Sequence, residues 1–136
     1  MNIDKFKKDH GAIFTAIKEL RSLVKNGIAE NADAIAKAIV EISSVIKLHL
    51  AAEDKFLYPA LVNSTNAEAI QIGRKYQDEM GNIAAAYMDF VGKWNHAPKV
   101  TANPEGFRTD ANAIFQALHR RIQNENKELY PLTEEI

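Results

Sequence analysis

The sequence predicts an all-α fold, an up-down-up-down antiparallel four-helix bundle forming a single domain over residues 1–136. Three observations lead there. Apolar residues recur at helical spacing along almost the whole chain. Only six Gly and four Pro are present, too few to supply the tight turns of a many-stranded sandwich or barrel. The pattern breaks in three places, leaving four segments of roughly 22–30 residues, and short links between helices of similar length favour antiparallel neighbours.

The first segment carries Ile3, Phe6, Ile13, Ile17, Leu20 and Val24 and stops near Asn26-Gly27, a good helix terminator. In the second, Ile35, Ile39, Ile42, Ile46, Leu50 and Leu57 lead to Tyr58-Pro59, where the proline is expected to end or kink the helix. The third is expected to start at Thr65, which forms a capping box with Glu68, and runs through Tyr76, Met80, Ile83, Tyr87 and Phe90 to Trp94. Residues 95–104 read as a loop. Asn103 and Pro104 then serve as cap and first helical residue of the fourth segment, whose inner face holds Ile114, Phe115, Leu118, Ile122 and Leu129. Tyr130-Pro131 ends or kinks it in turn.

Composition narrows the function. Hydrophobic residues make up 46% and charged residues 26% of the chain, which excludes a disordered protein. Seventeen basic against 18 acidic residues give a formal net charge of −1. That balance argues against nucleic acid as a partner, and an anionic membrane surface has nothing to attract. No apolar run approaches the ~18 residues of a membrane span, and the amphipathic N-terminus lacks a secretory core. With no Cys there is no disulfide framework, thiolate zinc site or Cys nucleophile, and the expected address is cytoplasmic.

The chain also repeats itself. Glu53-Asp54-Lys55-Phe56-Leu57-Tyr58-Pro59 lies over Glu125-Asn126-Lys127-Glu128-Leu129-Tyr130-Pro131, with Glu, Lys, Leu, Tyr and Pro identical. Asp9-His10-Gly11-Ala12-Ile13 lies over Glu79-Met80-Gly81-Asn82-Ile83. Two hairpins of one design, facing each other, place equivalent positions opposite one another across the core. His49 and Glu53, four residues apart, share a helical face. On a helical wheel Glu53 falls inside the apolar stripe, His49 at its border and His10 on the inward face of the first helix. Two imidazoles and a carboxylate directed into a core are a recognisable metal-ligand set. In the second half Met80 takes the place of His10 and Arg121 that of His49, while Glu125 keeps the place of Glu53.

These motifs, in this order and over nearly the whole chain, resemble the hemerythrin-like (HHE) cation-binding domains. The resemblance implies a four-helix bundle around a non-haem di-iron centre, with two bridging carboxylates and histidines from all four helices. Members bind oxygen reversibly, respond to oxygen, nitric oxide or redox state, or handle iron. Carried over, it implies His10 and His49 as ligands of one metal and Glu53 and Glu125 as the bridging carboxylates. Met80 and Arg121 stand where the second metal's histidines belong. A thioether is too soft a donor for iron, and a guanidinium has no lone pair to give. Tyr76, one turn before Met80, could supply a phenolate.

Two facing carboxylates in a dry interior need protons or a cation. One iron, or another divalent ion such as zinc, on His10, His49, Glu53 and Glu125 supplies it. The Arg121 fork, bonded to both carboxylates, supplies another and fills the place of the second ion. The first reading is therefore a metal-binding protein with an altered centre, sensing or handling a metal, oxygen or nitric oxide, with a metal ion and a small gas as partners. No acid/base pair, nucleophile triad or phosphate loop marks a substrate-turning enzyme. The alternative is a metal-free bundle acting as an interaction or regulatory module, in which Arg121 neutralises Glu53 and Glu125. Bland readings remain: a core His10 bonded to a backbone carbonyl, a plain i,i+4 bond between His49 and Glu53, a solvent-facing Glu125, an exposed Arg121. His119, about 200° round the helix from Arg121, and His96, in the loop, read as surface residues.

Overall fold

The computed structural model describes residues 2–136, apart from the side chain of Met80 and the packing at Gly81. Four long helices form the bundle: α1 (Asp4–Lys25), α2 (Ala32–Ala52), α4 (Ala67–Trp94) and α6 (Pro104–Asn124). Three short helices, α3 (Tyr58–Val62), α5 (Ala97–Ala102) and α7 (Tyr130–Glu135), extend or link them. Neighbours pack in a ring, α1 on α2, α2 on α4, α4 on α6 and α6 on α1, as the up-down-up-down reading requires. Among the described residues no helix is long and apolar enough to cross a membrane.

The connections follow from local chemistry. α1 stops where Gly27 takes φ +120°, a conformation that Gly reaches without a Cβ penalty. Asn31 Nδ2 then donates to the Gly27 carbonyl at 2.9 Å and holds the turn. α4 begins one residue later than its expected cap: Asn66, not Thr65, receives the Ala69 N–H at 3.0 Å. Asn is the stronger cap because its short amide carbonyl meets that donor directly. Asn103 caps α6 through the Gly106 N–H at 3.0 Å, with Pro104 in the first turn, as expected. The stretch at 95–104 is not wholly loop. It contains α5, which turns Val100 fully inward against the bundle.

Neither Tyr-Pro pair ends its helix. Each is preceded by a π turn, Glu53–Leu57 after α2 and Glu125–Leu129 after α6, in which the Tyr58 N–H bonds the Glu53 carbonyl and the Tyr130 N–H the Glu125 carbonyl, five residues back. A proline has no N–H to give and its ring crowds the carbonyl four residues before it. One extra residue in the turn relieves both conditions without breaking the helix. The widened turn has a second effect. In an unbroken α-helix residues five apart lie about 140° from each other; here Glu53 and Tyr58, and Glu125 and Tyr130, all turn inward and are buried.

The apolar core is built by Leu20, Ile35, Ile39, Phe90, Phe107 and Phe115 toward one end. At the other end, where α1 and α4 begin and α2 and α6 give way to π turns, the interior is polar: His10, His49, Glu53, Arg121 and Glu125 are all buried.

Candidate metal centre

His10 comes from α1, His49 from the last turn of α2, and Glu53 and Glu125 each open a π turn. They are exposed by only 2%, 2%, 0% and 1% respectively. One donor atom of each lies within 4.8 Å of the other three. The two imidazoles face each other Nε2 to Nε2 at 3.0 Å. Glu53 Oε1 sits 3.0 Å from His49 Nε2 and Glu125 Oε1 3.2 Å from His10 Nε2.

The outer nitrogens decide what those inner contacts mean. His10 Nδ1 lies 2.8 Å from Asn126 Oδ1, and His49 Nδ1 lies 3.2 Å from Asp9 Oδ2, itself paired with Lys5. Both oxygens are acceptors, so these partners assign the N–H of each ring to Nδ1. Each Nε2 then carries a lone pair aimed inward. Glu53 Oε1, although 3.0 Å from His49 Nε2, makes no hydrogen bond and is buried without a donor. The His49 Nε2 lone pair and Glu53 Oε1 face each other without a donor, and the His10 Nε2 lone pair, met by the Tyr130 hydroxyl at 2.8 Å, points to the same place, an arrangement a cation resolves. Two nitrogen and two oxygen donors form a set that could hold a metal ion, so the residues present fit the group the family implies.

The carboxylates divide unequally. Burial, then the neighbouring Glu125, pushes the Glu53 carboxyl well above the usual carboxylate range. Burial acts on Glu125 in the same direction, but its contacts with Glu53, His10 and Tyr58 outweigh it and hold Glu125 below its ordinary value. Without metal, the Glu53 carboxyl is thereby biased toward its protonated form. His49 is lowered, first by burial and then by His10, which favours its neutral form. Each shift ties stability to pH. Raised in the folded state, Glu53 contributes stability that is full below the ordinary 4.5 and lost as pH rises through its folded value. Lowered in the folded state, His49 contributes stability present above 6.5 and lost as pH falls. In chelated protein, Glu53→Gln is expected to remove the loss on the alkaline side while keeping that on the acid side, read as melting temperature against pH. An unchanged alkaline slope would contradict the assignment.

The tyrosines cross between the halves. Tyr58 OH donates to Glu125 Oε2 at 2.7 Å. Tyr130 OH lies 2.8 Å from His10 Nε2 and 3.4 Å from Glu53 Oε2. Burial, then the two glutamates, raises both phenols far above their ordinary value, so both remain donors. Tyr76 is not part of this set, because its hydroxyl donates outward to Glu128 at 2.9 Å.

Arg121 is buried, 4% exposed, but it does not hold both carboxylates in its fork as expected. Nη1 donates to Glu79 Oε2 at 3.0 Å, and Nη2 to the Tyr76 carbonyl at 2.9 Å and to Tyr58 OH at 3.3 Å. The guanidinium lies 4.4 Å from the Tyr76 ring centre, a cation–π contact. It reaches Glu125 only through Tyr58. A side chain one helical turn before Glu125 is carried past that carboxylate toward α4, where Glu79 and the Tyr76 carbonyl receive it. Met80 lies on α4, and its side chain is outside the described residues. His119 is half-buried against Phe14, their ring centres 4.9 Å apart, and His96 is exposed.

All four expected donors are brought together. Sequence reasoning missed Tyr58 and Tyr130, read as helix ends, and the supports Asp9, Asn126 and Glu79. The repeat of Leu-Tyr-Pro after each Glu was the available signal. No curated protein and no solved structure matches the chain. The model of the hemerythrin family, described as the hemerythrin HHE cation binding domain, matches residues 1–133. With that match, the bundle and the buried His/Glu cluster at its polar end, the chain belongs to the hemerythrin HHE cation-binding domain family.

Proposed function

We propose that the protein, acting as one domain, binds a single divalent ion, iron or zinc, through His10, His49, Glu53 and Glu125, and serves in handling a metal or in sensing oxygen or nitric oxide. The observation that carries this is the convergence of two Nε2 lone pairs and the donorless Glu53 Oε1 on one buried point. Second-row partners on both Nδ1 atoms fix the rings for that task. The gas role rests on the family and on the four-residue donor set, which leaves positions on a six-coordinate ion for an external ligand.

The test is anaerobic titration with iron(II), and separately with zinc(II), followed by desalting and elemental analysis. One equivalent retained by the wild type, and none by His49→Ala or Glu53→Ala, is the expected result. Two equivalents, or undiminished retention by Glu53→Ala, overturns it.

A second reading is favoured by Arg121. A buried guanidinium one hydroxyl away from Glu125 already supplies positive charge beside the carboxylates, which suits a metal-free interaction module. Failure of both ions to bind would leave that reading standing.

A further inference from the structure

The two halves of the site are related position by position, and the relation shows what Arg121 replaces. His49 corresponds to Arg121, Asp9 to Glu79, and Tyr130 to Tyr58. In the first half His49 is held by Asp9 at 3.2 Å; in the second, Arg121 is held by Glu79 at 3.0 Å. In the first half Tyr130 OH meets His10 Nε2 at 2.8 Å and Glu53 at 3.4 Å. In the second, Tyr58 OH accepts from Arg121 at 3.3 Å and donates to Glu125 at 2.7 Å. The support is conserved between the halves, but a permanent cation stands where a neutral ligand would.

We infer that Arg121 is a built-in cation at the second-ion position, which limits the centre to one metal and makes it discriminate against trivalent ions. The inference rests on the metal reading above and adds to it a cause for the single-ion stoichiometry and a selectivity. A guanidinium cannot bind a cation, and four contacts (Glu79, the Tyr76 carbonyl, Tyr58 and the Tyr76 ring) keep it from swinging away. Glu79 is about half exposed, so solvent weakens its compensation of the charge. Arg121 is buried, and through Tyr58 its charge lies two hydrogen bonds from Glu125. Each unit of charge added to the bound ion raises the repulsion by one further unit, and at such separations in a buried site the difference is about 10- to 100-fold in affinity. Arg121 acts here as a positioning and charge-setting residue.

The experiment compares zinc(II) with gallium(III), two redox-inert probes, by competition in a citrate buffer. It uses the wild type, Arg121→Gln and Arg121→Lys, with circular dichroism to check folding. Wild type should hold one zinc. Arg121→Gln should raise gallium affinity relative to zinc by about 10- to 100-fold, and Arg121→Lys, which keeps the charge, should return the ratio toward wild type. An unchanged ratio in zinc-binding Arg121→Gln, or a second zinc in wild type, overturns the inference while leaving the four-residue site intact. No zinc in any protein overturns the metal reading and this inference with it. Should Arg121→Gln not fold, Glu79→Gln at the surface tests the same charge from the other side. Removing an anion there should lower the gallium-to-zinc ratio by about two- to fivefold, and a ratio that does not move overturns the inference equally.

Discussion

Loading the protein with one equivalent of zinc or iron(II), free ion about 100-fold above its Kd, should raise the melting temperature by about 10 °C. The gain has identifiable sources. Glu53 no longer needs to be protonated, since a cation now stands between it and Glu125. The opposed Nε2 lone pairs of His10 and His49, 3.0 Å apart, acquire a common partner. Because the donors come from α1, α2 and both π turns, the ion also ties the two hairpins together, and unfolded chain cannot offer that arrangement. Calorimetry with and without a chelator measures the shift, and Glu53→Ala should show none. Superimposed wild-type curves under the two conditions would refute metal binding at this site.

Replacing Arg121 with Leu should destabilise chelated protein by about 2–4 kcal/mol. The guanidinium is buried among groups that bond to it: the Tyr76 carbonyl loses its side-chain donor, Tyr58 loses one of its two bonds, and the Tyr76 ring loses the cation stacked on it. Glu79 contributes less to this loss, since it is about half exposed and regains water. Loss of the positive charge also pushes Glu53 further toward its protonated form, because Arg121 now opposes that shift. Urea unfolding at pH 7 measures the difference. A change within about 0.5 kcal/mol, the range of an ordinary surface substitution, would mean that the buried contacts of Arg121 carry no weight.

Much of the architecture was legible because it rests on periodicity. The inward stripe of Ile35, Ile39, Ile42 and Ile46 and the Asn103-Pro104 start are local signals, and the structure follows them. So was the donor set, since the i,i+4 spacing of His49 and Glu53 and the repeat that aligns Glu125 with Glu53 are both visible in one dimension. What escaped has a common physical origin. A helical wheel assumes 100° per residue, and the two π turns violate it just where the site is built. Pro59 and Pro131 read as helix ends or kinks, while the widened turns before them carry Tyr58 and Tyr130 into the centre. The direction of the Arg121 side chain escaped for another reason. Its length lets it bypass the nearest carboxylate, and only the position of α4 decides that Glu79 and the Tyr76 carbonyl receive it. His49, placed at the border of the stripe by the wheel, is fully enclosed because α1 covers it with Phe6 and His10.

The enclosure of all four donors sets the tempo of the site as well as its strength. With none of them more than 2% exposed, an ion held there would offer a competing chelator no direct approach, and its release would wait for the helices to separate locally. Turnover of the ion is then governed by breathing of the bundle. Its rate should stop rising once the chelator is abundant, and it should climb steeply with temperature in the manner of an unfolding step. A protein built this way keeps what it has captured on the timescale of its own opening, which suits a long-lived resident ion better than one exchanged freely with the surrounding pool.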